Sequence, residues 1–306
     1  MRIAIVGGGA IGGWIAARLA LAGADPLLLV RPGREVDRLT LHEGGAGRSV
    51  AIRSIAEASG EGSQEAVLIA VKAYQFAEAA EAAAPLIGPG TLVVPLVNGV
   101  PWWFADPPLS SVDPDGRIAA ALPTGQVIGS VVHAAVRRVG RSDIHVQNVD
   151  KLILGEPGGQ ASARVSRLAD MLMAAGIPTV VSASIRRDIW FKAWGNMTIN
   201  PLSALTRATA DRILAECRPL ILACMEEARA IGAAVGCPIA ESGEARMAVT
   251  ARLGAFKTSM LQDLEAGRPL ELEALLGAPL ELAARHGVAA PNLANLYAMT
   301  RLLGEA

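Results

Sequence analysis

The chain has 306 residues, enough for two domains and a substantial hydrophobic core. Hydrophobic residues make up 52% of it and the net charge is −1, so nothing in its electrostatics favours a nucleic acid or a membrane surface as a partner. Its apolar runs are too short to span a membrane. The three cysteines and four histidines follow no metal or redox spacing, which predicts a metal-free cytoplasmic protein with reduced thiols.

The chain begins with an apolar strand, residues 3–6, that leads into the pattern Gly-x-Gly-x-x-Gly and then into a helical segment. In this pattern Gly7 allows a tight turn, Gly9 lets the backbone approach a phosphate, and Gly12 lets helix and strand pack closely. A dinucleotide is therefore expected here, with its pyrophosphate over the free N–H groups at the start of the helix. The alternative is a glycine-rich turn between core elements.

The end of the second predicted strand, residues 26–30, indicates which dinucleotide binds. A site for NAD usually has Asp or Glu there, bound to the ribose 2′-hydroxyl. This chain has Arg31 and, after a turn, Arg34. A guanidinium suits the 2′-phosphate of NADP(H), so NADP(H) is the favoured cofactor, with a solvated pair of arginines as the alternative.

The first half of the chain alternates short apolar strands with helical segments. Further strands are predicted at 66–71, 91–97, 127–132, 151–155 and 177–181, and helices at 75–84 and 163–176. This alternation predicts an α/β fold, a Rossmann-type doubly wound parallel sheet in residues 1–183. The strand pattern then stops, which predicts a smaller all-α domain in residues 184–306.

Two polar residues follow predicted strands, at the sheet edge where ligands of open α/β folds bind. Lys72 follows one strand, where its ammonium could reach a phosphate or a ribose. On position alone it could equally be a surface lysine. Asn98 follows the next strand and offers a donor and an acceptor to cofactor or substrate. Its alternative is an ordinary Asn-Gly turn.

Lys192, Asn196 and Asn200 occupy positions i, i+4 and i+8 of an apolar segment in the helical half. On a helix this spacing puts all three on one face. Pro201 is expected to kink or end the helix just after Asn200. The lysine could protonate an alkoxide as a hydride arrives, while the asparagines fix the substrate. A solvated helix face is the alternative.

A later segment has Glu271 two residues after Pro269. The proline is expected to begin a helix, with Glu271 in its first turn. A carboxylate is favoured there by the helix dipole, so simple capping is the alternative to a functional role.

Taken together, these motifs resemble the ketopantoate reductases (2-dehydropantoate 2-reductases), over nearly the whole chain. Members reduce a 2-oxo acid with NADPH. The resemblance rests on the glycine pattern with Arg31, on residues 71–73, 98–99 and 133–135, and on the blocks 192–202 and 259–263 with Glu271.

The resemblance also implies residue roles. Lys192 is the general acid, and Glu271 holds it in its charged form. The implied substrate ligands are Asn98, Asn196, Asn200 and Ser259. The implied cofactor ligands are Gly7, Gly8, Gly9, Ala10, Ile11, Gly12, Arg31, Lys72, Asn98, Ala135 and Glu271.

The chain departs from characterised ketopantoate reductases at positions expected to affect substrate specificity. Ala210 and Leu276 stand where family members carry asparagine, and an aromatic segment, Val100–Phe104, follows the Asn98-Gly99 pair. This segment is expected either to pack inside a domain or a homodimer or to form a lid over the substrate. The expected reaction is reduction of ketopantoate. The alternatives are another 2-oxo or 3-hydroxy acid, or an NADPH-binding sensor without turnover.

Overall fold

Contacts between residues divide the computed structural model, which describes residues 1–305, into two units. The first unit comprises Met1–Val97 and Asp115–Asp188. The second comprises Asn98–Pro114 and the residues from Ile189 onward. The boundary predicted from the sequence lies between residues 183 and 184. In the structure the chain passes between the units three times, because Asn98–Pro114 belongs to the helical unit.

The first unit holds every strand found in the described residues. The strands are β1 (Ile3–Val6), β2 (Leu27–Leu29), β3 (Arg38–Glu43), β4 (Ala46–Ala51), β5 (Arg53–Ile55), β6 (Ala66–Ile69), β7 (Leu92–Pro95), β8 (Gly129–Val139), β9 (Asp143–Gly155) and β10 (Thr179–Val181). Its helices are α1 (Ala10–Leu21), α2 (Phe76–Ala83), α3 (Arg117–Ala121) and α4 (Ala163–Ala174).

A parallel sheet with the strand order β5-β2-β1-β6-β7 forms the core of this unit. Every residue of β1, β2, β6 and β7 is buried, which is typical of parallel strands covered on both faces. The carboxyl ends of β1 and β2 lie side by side, since Val6 is paired with Leu29. The predicted Rossmann-type parallel sheet is confirmed.

A second sheet, with the order β10-β9-β3-β4 and with β8 paired to β9, was not expected from the sequence. β8 and β9 are antiparallel, which corrects the purely parallel arrangement predicted for them. The reason is the short turn at Gly140, whose φ is 62°, because so short a connection can join only antiparallel neighbours. β3 and β4 form a similar hairpin in a segment for which no element was predicted.

The second unit is helical. From the end of the first unit onward, the helices are α5 (Ile185–Thr206), α6 (Ala210–Glu216), α7 (Arg218–Ala234), α8 (Gly243–Ala251), α9 (Ser259–Glu265), α10 (Ala278–Arg285) and α11 (Pro291–Glu305), with a π-helix at Glu273–Gly277. Two tryptophans tie α5 to α7: Trp190 Nε1 donates to the Ala228 carbonyl (3.1 Å) and Trp194 Nε1 to the Met225 carbonyl (2.9 Å). Residues 1–305 contain no helix with the length and hydropathy that a membrane span requires.

Two helix boundaries differ from those the sequence suggests. Of the two outcomes expected at Pro201, a kink or an end of the helix, the end is contradicted, because α5 runs on to Thr206. An interior proline costs about 3 kcal/mol. The turn that follows it is deeply buried, with Ser203 and Ala204 fully inaccessible to solvent, and this packing offsets the cost. The helical segment after α9 does not begin at Pro269 either, so Glu271 lies just before it rather than in its first turn.

Candidate active site

The glycine turn after β1 has the conformation that its sequence predicts. Gly7 has a φ of 100°, and a Cβ there would lie 2.6 Å from the Ala70 carbonyl oxygen. A Cβ on Gly12 would lie 1.9 Å from the Gly7 carbonyl oxygen, which no side chain can tolerate. A Cβ on Gly9 would meet only the Ala70 carbonyl oxygen, at an ordinary contact distance of 3.9 Å. The first and third glycines therefore shape the turn, and the second leaves room for a ligand.

The start of α1 suits an anion. Gly9 precedes the helix and offers no side-chain cap, and the first turn, which begins with Ala10 and Ile11, holds no acidic residue. The first N–H groups of the helix are therefore left for a ligand, and the helix dipole adds partial positive charge. These observations fit the pyrophosphate of a dinucleotide cofactor.

The other predicted cofactor residues of the first unit lie at strand ends or irregularities. Arg31 is exposed two residues after β2. Lys72 is partly buried and precedes a short 3₁₀ turn, Ala73–Gln75. Ala135 is exposed on β8, where the pairing with β9 shifts register on the carboxyl side of this residue. Such bulges are common next to active sites.

In the second unit, Lys192 and Asn98 are in direct contact: Lys192 Nζ donates a hydrogen bond of 2.8 Å to Asn98 Oδ1. Burial lowers the pKa of Lys192 from its usual 10.5 to about 8, although the nearby Glu271 carboxylate acts to raise it. Glu271 is itself 7% exposed. The structure thus brings together three residues that are separated by up to 173 positions in the sequence.

Asn196 and Asn200 follow Lys192 on α5, and the predicted i, i+4, i+8 stripe is confirmed as helical. Asn200 is only 7% exposed. Within the described part of the chain, neither asparagine side chain has a hydrogen-bond partner. Buried polar groups in proteins are nearly always hydrogen-bonded, so the buried amide of Asn200 is a candidate for a ligand contact. The partly buried amide of Asn196 lies one helical turn before it.

Gly99 fixes the position of Asn98. Its φ is 84°, and a Cβ there would lie 2.3 Å from the Ala274 carbonyl oxygen. The same carbonyl accepts a 2.8 Å hydrogen bond from the Val100 N–H. Ala274 belongs to the π-helix that starts two residues after Glu271, so Asn98 and Glu271 are held by neighbouring segments.

The rest of Asn98–Pro114 is held by α10. The Glu281 carboxylate accepts a hydrogen bond from the Ser111 N–H (2.8 Å), and Arg285 donates to the Pro107 carbonyl (2.6 Å). Burial alone would raise the pKa of Glu281, but its hydrogen bonds with Ser111 and Arg285, among others, lower that pKa to about 2. A firmly ionised carboxylate therefore anchors the segment that carries Asn98.

Comparisons with known proteins identify the family of this chain. The family model "Ketopantoate reductase PanE/ApbA" matches residues 3–159, and the model of the C-terminal part of the same family matches residues 184–304. The chain belongs to the ketopantoate reductase family. It is an oxidoreductase of the 2-dehydropantoate 2-reductase type, which acts on a CH–OH group.

Individual relatives match over almost their whole length. A 2-dehydropantoate 2-reductase of Mesorhizobium japonicum is 39% identical, with 99% of this chain and 98% of the relative covered. Among solved structures, a Ralstonia solanacearum MolK2 protein assigned as a ketopantoate reductase is 47% identical, with a TM-score of 0.95 over 99% of this chain and 98% of the other. A 2-dehydropantoate 2-reductase of Methylococcus capsulatus is 30% identical, with a TM-score of 0.86 over 99% and 96%.

Ser259, a substrate ligand that the ketopantoate reductase pattern implies, is the exposed first residue of α9. Thr258 caps this helix by accepting from the Leu261 N–H (3.3 Å), so the Ser259 hydroxyl is not needed as a cap. No hydrogen bond joins Ser259 to another described residue. It is therefore available to a ligand, but the structure gives it no direct contact with Lys192.

The two departures from the ketopantoate reductase pattern are apolar and fully buried. Ala210 begins α6, and its N–H donates to the Phe256 carbonyl (2.9 Å). Leu276 lies in the π-helix and is also inaccessible to solvent. Neither position offers a side-chain hydrogen bond to a substrate, where the usual family member has an amide.

The aromatic segment after Gly99 packs inside its own unit. Trp102, Trp103 and Phe104 are 2%, 8% and 1% exposed. The ring centroids of Phe104 and Trp190 on α5 are 5.9 Å apart. Of the two interpretations left open by the sequence, these observations favour packing over an exposed lid.

A partly buried arginine on α8 was not expected from the sequence. Arg246 lies against Gly195 of α5 and over the Phe191 ring (5.6 Å from the centroid), and its buried Nε has no hydrogen-bond partner among the described residues. Burial lowers the pKa of this guanidinium. No local motif marks Arg246, because its partners lie about fifty positions away in the sequence.

Proposed function

We propose that this chain reduces the ketone of 2-dehydropantoate to the alcohol of pantoate with NADPH. The observation that carries the proposal is the lysine on α5. Lys192 has a pKa of about 8, a hydrogen bond to Asn98 and a nearby carboxylate, Glu271. An ammonium with that pKa can release a proton near neutral pH, as a general acid must.

The proton and the charge are handled by the chain itself. Lys192 donates a proton to the oxygen of the substrate ketone as that oxygen gains negative charge. Glu271 keeps the lysine protonated before the reaction, and Asn98 orients its Nζ. When bound, NADPH supplies the hydride.

Residues of the first unit hold the cofactor in this proposal. The turn Gly7-Gly8-Gly9-Ala10-Ile11-Gly12 binds the pyrophosphate through its N–H groups. Arg31 pairs with the 2′-phosphate, and Lys72 contacts phosphate or ribose. Ala135 and, from the second unit, Asn98 and Glu271 complete the set. Support comes from the uncapped start of α1 and from the absence of close contacts at Gly9.

The substrate is bound by amides and a hydroxyl. Asn196 and Asn200, whose side chains have no partner in residues 1–305, donate to the oxygens of the 2-oxo acid, together with Ser259 and Asn98. Because Ala210 and Leu276 remove two amides that family members usually have, a different 2-oxo or 3-hydroxy acid is the second candidate.

A substrate panel tests the proposal. NADPH oxidation is followed with 2-dehydropantoate and other 2-oxo acids, and NADP⁺ reduction with 3-hydroxy acids. We expect the highest kcat/KM with 2-dehydropantoate. A faster reaction with another acid would favour the second candidate. Tight NADPH binding without turnover of any acid would instead support a sensor.

Substitution of two lysines, one in the candidate site and one outside it, tests the role of Lys192. Lys192→Met should lower kcat by about a hundredfold or more, the usual contribution of a general acid, while NADP⁺ still binds. Lys257→Met removes an exposed lysine that pairs with Glu265 in the same unit, and its kcat should stay within about twofold of the unsubstituted chain. An unchanged kcat in Lys192→Met would reject the assigned role.

Location and assembly are further parts of the proposal. We propose a cytoplasmic location, in keeping with Cys217, Cys224 and Cys237, none of which forms a disulfide in the described part of the chain. The homodimer expected from the sequence stays a prediction, which light scattering after size-exclusion chromatography would test.

A further inference from the structure

An arginine of the second sheet lies against the glycine turn. Arg138 is near the end of β8, and its Nη1 lies 2.9 Å from the point where a Cβ on Gly8 would be. From the same point, Val30 Cγ1 is 2.8 Å away. Val30 directly precedes Arg31. The Arg138 guanidinium therefore lies where the glycine turn meets the end of β2.

Arg138 is part of a group of arginines. Its Nη2 donates to the Arg141 carbonyl, and the Arg141 side chain donates to the Gly33 carbonyl (2.8 Å) in the turn after β2. That turn, closed by a hydrogen bond from the Arg34 N–H to the Arg31 carbonyl (3.0 Å), carries two more arginines. The β8–β9 turn and the turn after β2 are thus held together by hydrogen bonds.

This group has positive charge that no carboxylate neutralises. Among residues 1–305, none of the four arginines (Arg31, Arg34, Arg138 and Arg141) forms a salt bridge. Burial and the charges of Arg34 and Arg141 lower the pKa of Arg138. Clustered like charges cost free energy, and such clusters are typical of sites for anions.

We propose that Arg138 is a second ligand, beside Arg31, for the 2′-phosphate of NADPH. This inference deepens the proposed function, because it presupposes NADPH as the cofactor. In Rossmann-type folds the pyrophosphate lies at the helix start, whereas the adenosine ribose lies at the end of β2, and Arg138 is beside that strand end. A phosphate dianion can accept hydrogen bonds from two guanidinium groups at once, each more strongly than from a neutral donor.

Direct binding measurements test this role without turnover. Dissociation constants of NADP⁺ and NAD⁺ are measured by calorimetry for the full chain and for Arg138→Gln. We expect NADP⁺ to bind about tenfold or more weakly to the variant, the effect of losing one charge-assisted hydrogen bond, and NAD⁺ to change by less than about threefold. Arg138→Lys, which keeps the charge, should recover part of the NADP⁺ affinity.

The neighbouring arginine is the matched control. Arg137 is exposed and, one residue earlier on β8, points to the opposite face of the strand. Arg137→Gln should leave both dissociation constants unchanged. Equal losses for NADP⁺ and NAD⁺ in Arg138→Gln would overturn the 2′-phosphate assignment, as would an unchanged NADP⁺ affinity.

The same data separate this inference from the proposed function. If the unsubstituted chain binds NADP⁺ no more tightly than NAD⁺, the cofactor assignment in the proposed function fails and the inference fails with it. If it prefers NADP⁺ and Arg138→Gln keeps the full preference, only the role of Arg138 is rejected.

Discussion

At the scale of single residues, the proposed chemistry depends on one proton at Lys192. Burial alone would lower the pKa of this amine further, and the Glu271 carboxylate opposes the shift. The result, about 8, leaves the amine largely protonated at neutral pH while making its proton easier to release than that of an exposed lysine. Burial and the carboxylate have opposite effects on the pKa of Lys192, and together they suit this amine to the general-acid role proposed for it.

The pH dependence of reduction should report this pKa. The ammonium form is required, so kcat/KM for reduction should fall as the pH rises through about 8. In Glu271→Gln the carboxylate that raises the pKa is gone, so the fall should move to lower pH. In the reverse direction, alcohol oxidation should instead rise with pH, because the neutral amine must accept the proton.

Glu273→Gln is the control for this profile. Glu273 is an exposed carboxylate two residues away that accepts a hydrogen bond from the Tyr297 hydroxyl (2.8 Å). Its replacement should leave the midpoint in place. A midpoint that is the same in Glu271→Gln as in the unsubstituted chain would show that this carboxylate does not set the pKa of Lys192.

At the scale of elements, short sequence patterns predicted those features that depend on residues close together in the chain. The glycine turn, the buried parallel strands and the lysine–asparagine stripe of α5 all follow from short periodicities, and all are present. The helix does not end at Pro201, because the burial of the turn beyond it outweighs the local cost of a proline, and burial cannot be read from a few residues. The pairing of β8 with β9 and the approach of Arg138 to Gly8 also depend on residues far apart in the sequence.

The link between Gly99 and the π-helix gives an element-scale prediction. In Gly99→Ala the new Cβ would meet the Ala274 carbonyl at 2.3 Å, which must displace Asn98 from Lys192. We expect a loss of about tenfold or more in kcat/KM, measured with saturating NADPH, because the lysine loses the partner that orients it.

Gly90→Ala is the control that separates the displacement of Asn98 from the strain of an unfavourable φ. Gly90 has almost the same φ, 86° against 84°, but no atom lies within 4 Å of its Cβ position. Both variants should lose about 1 kcal/mol of stability from the unfavourable φ. Only Gly99→Ala should lose activity, and an equal loss in both would assign the effect to strain rather than to Asn98.

At the scale of the whole molecule, the second unit is discontinuous. Its first piece, Asn98–Pro114, comes from the middle of the sheet-forming sequence and carries both a candidate catalytic contact and three buried aromatic side chains. A single boundary near residue 183 follows the change from strand to helix pattern. That boundary does not account for Asn98–Pro114, because the strand pattern continues on both sides of this segment although the segment belongs to the helical unit.

Dissection of the chain tests this organisation. A fragment of residues 1–183 keeps Trp102, Trp103 and Phe104 but lacks α5, against which Phe104 packs, so its exposed aromatic surface should make it aggregate. Residues 1–188 with 98–114 replaced by a flexible glycine–serine linker of about six residues should stay monomeric and bind NADP⁺. Light scattering and calorimetry give both readouts. If the fragment 1–183 were as monomeric and as competent in binding as the linker variant, the aromatic segment would not depend on the helical unit, and one boundary would describe the chain.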